Sequence, residues 1–135
     1  MPAVVWSNEY SVGVNEIDLQ HKKMLELVHD LHSAVKSCAE KNVLQNLLVE
    51  LVDFTHTHFL AEEQLMKEHD YPELKAHHKE HKMLIKHMSD LVVAVSSGQY
   101  PTFYSDYDVS TDWALLHISE HDKSLGAFLN TKGVF

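Results

Sequence analysis

Apolar residues recur at helical spacing in three long stretches of the chain. The apolar row of the first stretch consists of Met24, Leu25, Val28, Leu31 and Val35. His21 extends this row by one step toward the N-terminus. Because residues three and four apart lie on one face of an α-helix, the row predicts an amphipathic helix over about residues 17–39.

The second and third stretches have the same spacing, but polar residues share the apolar row. The second row is Leu44, Leu48, Leu51, Thr55, His58, Glu62 and Leu65. The third row is Leu74, His77, His81, Leu84, Met88, Leu91 and Val95. These rows predict two further helices, over about residues 42–69 and 72–97.

Breaks in the pattern separate the predicted helices. Asn15 stands three residues before Asp18 and is predicted to cap the first helix. Pro72 is predicted in the first turn of the third helix, where proline is tolerated, and Gly98 is predicted to end that helix. A fourth helix is predicted over about residues 103–129.

Long amphipathic helices that are joined by short connections pack as antiparallel neighbours. The predicted fold class is therefore all-α, an antiparallel up-down four-helix bundle. The length of 135 residues suits one domain with one core, so a single domain is predicted over residues 1–135. Residues 1–16 are predicted to form an N-terminal arm against the bundle.

Several residues in the predicted core rows are titratable. They are His21, His58, Glu62, His77 and His81. Burying so many polar groups without partners would cost several kcal/mol for each, roughly 2–7 kcal/mol by transfer measurements. A metal ion removes this cost, because it pairs with the carboxylate and with the lone pair of each neutral imidazole. Four-residue steps also allow each pair on one helix to reach one centre.

The predicted fourth helix offers two candidates beside His117. His121 follows it by four residues and Asp122 by five. Regular helical spacing favours His121, since a five-residue step rotates away from the face of His117. A local π-bulge would instead bring Asp122 toward the site.

Composition narrows the class of protein. Twelve histidines in 135 residues are an excess, and histidine is the commonest metal ligand. The net charge of −9 argues against nucleic-acid or anionic-membrane partners. A single cysteine, Cys38, excludes an internal disulfide and cysteine-based metal clusters, and it is predicted to be buried or half-buried.

No apolar stretch approaches the roughly 20 residues that a membrane span requires. The first ten residues lack the basic start and apolar run of a secretory signal. A cytoplasmic location is therefore predicted.

Four segments together resemble the hemerythrin family in its bacterial single-domain form. They are IDLQHK, HFLAEEQLM, YPELKAHHKEH and WALLHISEHD, and their order and separation cover nearly the whole chain. The resemblance implies that one iron is bound by His77, His81 and His117, and the other by His21 and His58. Glu62 and Asp122 would bridge the two irons together with a solvent-derived oxygen, so the resemblance selects Asp122 over His121.

The resemblance also implies a function and a cofactor. Two iron ions, bridged by an oxo or hydroxo group, would bind O2 reversibly for carriage, storage or delivery, with no enzymatic role. Small anions such as azide would enter at the open iron, and Trp113 and Ala114 are predicted to line the O2 pocket. The alternatives are a di-iron peroxidase, detoxification of peroxide or nitric oxide, and sensing of O2 or iron.

The remaining histidines are predicted at the surface or rim of the bundle. They are His29, His32, His56, His69, His78, His87 and His121. Glu63 lies off the core row and is predicted to support the site or to face solvent. Trp6 is predicted to pin the arm to the bundle.

Overall fold

A computed structural model describes residues 6–98 and 121–135 of the chain. A short 3-10 turn, Asn8–Tyr10, is followed by three long helices, α1 (Asn15–Lys36), α2 (Lys41–Glu68) and α3 (Leu74–Ser96). A further helix, α4 (Lys123–Thr131), lies in the C-terminal part, while the predicted start of the fourth helix near residue 103 lies outside the described residues. None of these helices is long and apolar enough to cross a membrane.

The start of α1 differs from the prediction. Asn15 is the first helical residue and caps nothing, since Val14 occupies the N-cap position without a side-chain bond. Asp18 organises this end instead: its Oδ1 accepts the backbone N–H of Val12 and its Oδ2 accepts the hydroxyl of Ser11. A carboxylate in the first turn is also favoured by the helix dipole, so Asp18 ties the arm to α1.

Left-handed residues end the long helices. Cys38 (φ 55°) follows α1, Asp70 (φ 54°) follows α2 and Gly98 (φ 87°) follows α3. The backbone N–H groups of Ala39 and Tyr71 then bond back to Ala34 and Met66, as in a Schellman turn. This turn ends α1 at Lys36, three residues before the predicted end, and leaves Cys38 exposed rather than buried.

The three long helices pack as antiparallel neighbours, α1 against α2 and α2 against α3. Gln20 near the start of α1 contacts His58 in the second half of α2, and Gln45 near the start of α2 donates to Ser96 at the end of α3. Most residues of the predicted rows lie in the core, although Leu65, Leu74, Leu84 and Leu91 are only partly buried and residues outside the rows also contribute. The fully buried members of the core include Met24, Leu25, Leu31, Leu44, Leu48, Leu51, Phe59, Met66 and Met88.

The arm and α4 meet at a point where only glycine fits. A Cβ on Gly126 would lie 1.9 Å from the carbonyl oxygen of Val12, far inside van der Waals contact. Asn130 of α4 donates to the carbonyl of Gly13, and Trp6 packs against the core under the ammonium of Lys22. The arm is thus held to both α1 and α4.

Gly126→Ala should force the arm away from α4, because the obstructing atom is backbone oxygen and not a flexible side chain. We expect a loss of about 3 kcal/mol in the free energy of unfolding, the upper end of the usual cost of overpacking. Ala127→Gly on the exposed side of α4 is the control and should lose only about 1 kcal/mol. Denaturant unfolding of both variants measures the difference; equal losses would contradict the close contact.

Candidate metal centre

The structure brings six of the seven predicted ligands together in the core. His21 lies on α1, His58 and Glu62 on α2, His77 and His81 on α3, and Asp122 directly before α4. Each of these residues is at most 3% exposed. His117, the seventh, lies outside the described residues, as do Trp113 and Ala114.

Two overlapping groups of ligand atoms are present. One consists of His21, His58, Glu62 and Asp122, and the other of Glu62, His77, His81 and Asp122. Within each group, one potential ligand atom from every residue lies within 4.8 Å of the others. Since Glu62 and Asp122 belong to both groups, their carboxylates stand between two sets of histidines.

In the first group, the ring nitrogens of the histidines lie close to the carboxylate oxygens. Nε2 of His21 lies 2.8 Å from Oδ2 of Asp122, and Nε2 of His58 lies 3.4 Å from Oε1 of Glu62. The two imidazole rings meet edge to face, with centroids 4.7 Å apart. Thus α1 and α2 each give one imidazole to this side.

The second group repeats this arrangement on α3. Nε2 of His77 lies 3.0 Å from Oδ1 of Asp122, and Nε2 of His81 lies 3.2 Å from Oε1 of Glu62. The other oxygen of Asp122 faces His21, so each side of this carboxylate has its own imidazole. A carboxylate with an oxygen toward each of two sites has the geometry of a bridging ligand.

A cation would stabilise the carboxylates that are buried in this core. Burial raises the pKa of Glu62 well above its ordinary value of 4.5, and the nearby Asp122 and Glu63 raise it further. Two buried carboxylates repel each other, and buried polar atoms need partners. A metal ion supplies positive charge and coordinates the ring nitrogens, so the donor set fits two metal ions of borderline softness.

The backbone decides between His121 and Asp122. Both residues have π-helical conformation. A π-helical turn is wider than an α-helical turn, so residues five apart lie on the same face. Asp122 is fully buried among the histidines, whereas the side chain of His121 is 39% exposed and lies 3.9 Å from Glu80. Among the described residues it is therefore Asp122, and not His121, that lies with the candidate ligands.

Two polar residues support the candidate ligands from outside. Oε1 of Gln20 lies 2.5 Å from Nδ1 of His58, and Oε2 of Glu63 lies 3.0 Å from Nδ1 of His81. In both contacts the oxygen accepts the Nδ1 proton, which leaves Nε2 as the metal-facing nitrogen. Glu63 also binds Nδ1 of His78, so the acid predicted off the core row supports the site.

Gln20 was missed by the sequence pattern because it lies outside the apolar row. Its one signal is its place directly before His21. Aromatic rings complete the surroundings: Phe59 stacks on His81 with centroids 3.7 Å apart, and Tyr71 meets His77 edge to face. These rings restrict the rotation of both imidazoles.

The other histidines mostly lie at the surface or rim, as predicted, with one exception. His32 is only 6% exposed. In α1 the neighbours Leu27 and Val28 are both buried, and so are the neighbours Leu31 and His32. The buried face of this helix is therefore wider than one row of residues. The prediction for His32 is therefore wrong.

Comparison with known proteins agrees with this geometry. The Hemerythrin HHE cation binding domain matches the chain over residues 12–129. The bacteriohemerythrin of Pseudomonas aeruginosa is 34% identical over 99 residues, which is 73% of this chain but 64% of that protein. The match thus spans less than two thirds of that relative. The bacteriohemerythrin of Methylococcus capsulatus is 28% identical over 96% of this chain and 99% of its own.

Solved structures show the same fold. A crystal structure of wild-type hemerythrin superposes with a TM-score of 0.85 at 26% identity, covering 95% of this chain and 98% of that one. The predicted four-helix bundle is thereby confirmed. Since the domain match includes all the candidate ligands, the chain belongs to the hemerythrin family, whose domains bind a di-iron centre.

Proposed function

We propose that this chain binds O2 reversibly at a di-iron centre held by the two groups of histidines and carboxylates. The observation that supports the proposal is a pair of fully buried carboxylates, Glu62 and Asp122. Both belong to the two groups of ligand atoms and lie between imidazoles of α1, α2 and α3. Members of the family are oxygen-binding proteins and not enzymes. Two ferrous ions held by these residues would supply the electrons that O2 takes up on binding.

The proposed ligands divide unequally between the irons. His21 and His58 serve one iron, while His77, His81 and His117 serve the other. Glu62 and Asp122 would be shared between the two irons, and the iron held by His21 and His58 would have one imidazole fewer and so could take O2. The assignment of His117 rests on the resemblance to the family. The assignment of the other ligands rests on the two described groups of ligand atoms.

The ligand set favours release of O2 over further chemistry. Neutral imidazoles and two carboxylates bring less negative charge than the four glutamates of ferritin-like di-iron sites. A donor set with less negative charge would stabilise highly oxidised iron less well, which favours release of O2 over its cleavage. The protein also keeps water out, since the described ligands are at most 3% exposed.

Iron content and an optical spectrum test the proposal. Protein purified from iron-replete cells should hold two irons per chain, and the reduced form should gain an absorption band in air that disappears under vacuum. His77→Ala should lower the iron content at least about tenfold, since even the loss of an outer partner costs that much. His87→Ala, at an exposed position on the same helix, is the matched control.

Other outcomes would decide against reversible binding. Full occupancy by zinc, with no O2-dependent band after iron loading, would refute a di-iron O2 site. Consumption of peroxide or nitric oxide faster than release of O2 would assign the centre to detoxification. Azide binding to the oxidised protein would report an open coordination position.

A further inference from the structure

The two groups of candidate ligands have different partners behind their imidazoles. Nδ1 of His58 lies 2.5 Å from Oε1 of Gln20, and Nδ1 of His81 lies 3.0 Å from Oε2 of Glu63. When Nε2 faces a metal ion, Nδ1 carries the proton, so each of these oxygens accepts a hydrogen bond. The acceptor is thus a neutral amide in the group of His58 and a carboxylate in the group of His81.

The carboxylate of Glu63 is held in place on the α3 side. Glu63 is buried, and its two oxygens have separate partners on that helix. Oε2 accepts the hydrogen bond from His81, and Oε1 is bonded to Nδ1 of His78. A carboxylate that is held at both oxygens keeps its negative charge at one place behind the ring of His81.

The charge of Glu63 acts on the core of the bundle. Burial and Asp122 raise the pKa of Glu62 most, and the carboxylate of Glu63 raises it further. A negative charge that opposes the ionisation of a neighbouring acid also favours the more positive state of a neighbouring metal ion. A carboxylate behind a ligating imidazole adds to this effect, because it raises the basicity of that ligand.

We propose that Glu63 is a positioning residue that sets the O2 affinity of the centre, because its carboxylate behind His81 stabilises the ferric state of the iron that does not bind O2. Gln20 has the corresponding place behind His58 and brings no charge to the iron that does bind O2. The two irons would therefore differ in reduction potential, and the iron bound by His81 would have the lower one.

The inference rests on the proposed function, in which O2 would take one electron from each of two ferrous ions. The iron that binds O2 would lie next to the negative charge that O2 gains. The other iron would become equally positive without contact to O2, so its oxidation depends more strongly on charge from the protein. Glu62 and Asp122 are shared between the irons, whereas Glu63 lies behind an imidazole of this second iron alone.

A purely structural role of Glu63 would require only an acceptor for the Nδ1 proton of His81. A glutamine side chain supplies such an acceptor, as Gln20 does for His58. Glutamate and glutamine have nearly the same shape, so their exchange removes or adds a charge and keeps the hydrogen bond. This exchange therefore separates an effect of charge from an effect of structure.

Glu63→Gln should raise the reduction potential of the iron-loaded chain and weaken its binding of O2. Loss of an outer partner of a metal ligand costs at least about tenfold, so we expect the O2 affinity to fall about tenfold. The same factor in the ferric–ferrous equilibrium is about 59 mV for one electron. The potential is measured by titration with ferricyanide, which accepts one electron from the centre and becomes ferrocyanide. O2 saturation curves measure the affinity.

Gln20→Glu should have the opposite effect, because it places a carboxylate behind His58. Gln20 is only half-buried, so a charge at this position keeps contact with solvent. We expect a lower potential and an O2 affinity that is up to about tenfold higher. Glu68→Gln is the control: it removes the same charge at an exposed position of α2, and both values should stay unchanged.

Iron content is measured in every sample, and three results would overturn the inference. Shifts of the potential in the same direction in Glu63→Gln and Gln20→Glu would show that the hydrogen bonds act only on structure. An unchanged potential in Glu63→Gln with two irons bound, or an equal shift in Glu68→Gln, would show that the contact with His81 has no special effect. Should Glu63→Gln fail to hold iron, Gln20→Glu decides, because a potential that does not fall in this variant contradicts the proposal.

The same samples separate this inference from the proposed function. Opposite shifts of the potential without an O2-dependent band in the parent chain would refute reversible O2 binding and leave the effect of Glu63 on the iron standing. Reversible O2 binding with the same affinity in the parent and in Glu63→Gln would refute only the role of Glu63.

Discussion

Asp122→Ala should abolish the stable di-iron centre, and its iron content should fall to less than about one tenth of the parent value. Asp122 provides one oxygen toward His21 and the other toward His77, so its loss removes a ligand from both groups at once. Loss of an outer-shell partner alone costs about 10–100-fold in metal affinity, and a shared ligand should cost more. Metal analysis of the purified variant measures the effect.

His121→Ala is the matched control, because His121 is adjacent in sequence and has the same π-helical backbone. Its partly exposed side chain lies outside both groups of ligand atoms, so both irons and the O2-dependent band should remain. Retention of iron in Asp122→Ala together with its loss in His121→Ala would show that regular helical spacing governs this turn.

The metal-free chain should lose stability as the pH rises above about 4.5, and Glu62→Gln should reduce that loss. The pKa of Glu62 is raised in the folded state by burial, Asp122 and Glu63, so the folded chain holds a proton that the unfolded chain releases. The resulting stability is fully present below the unfolded pKa and is lost as the pH rises through the folded pKa. One such proton gives a slope of at most about 1.4 kcal/mol per pH unit.

Denaturant unfolding of the chelator-treated chain between pH 4.5 and 8 measures this slope. Glu62→Gln cannot ionise and should have a shallower slope than the parent, whereas Glu50→Gln, at an exposed position of α2, should keep the slope of the parent. Iron should reverse the trend in the parent, because metal binding requires the ionised carboxylate. Identical slopes in all three metal-free chains would show that Glu62 does not remain protonated in the folded state.

Much of the candidate site could be predicted from sequence because helical periodicity fixes which face a residue occupies. His21, His58 and His77 fall in apolar rows, and each row becomes buried when helices pack. A histidine in such a row has no solvent to pair with, so its presence indicates a partner in the core. That inference needs only the period of the helix and the cost of burial.

The contacts that support the candidate ligands could not be predicted from the sequence. Glu63 lies off the row of α2, yet it reaches His81 across the interface between α2 and α3. Gln20 likewise reaches His58 from α1. Such contacts depend on the separation and relative height of two helices, which are set by side-chain packing and not by the period of either sequence.

By itself, the sequence determined the helical rows, the burial of five titratable residues in them and the resemblance to the hemerythrin family. Only the tertiary structure decided where the period fails. A π-helical turn brings Asp122 inward, a left-handed Cys38 ends α1 early and faces solvent, and Gly126 lets the arm approach α4. Each depends on backbone conformation that is stabilised by contacts distant in sequence, and periodicity describes only regular helix.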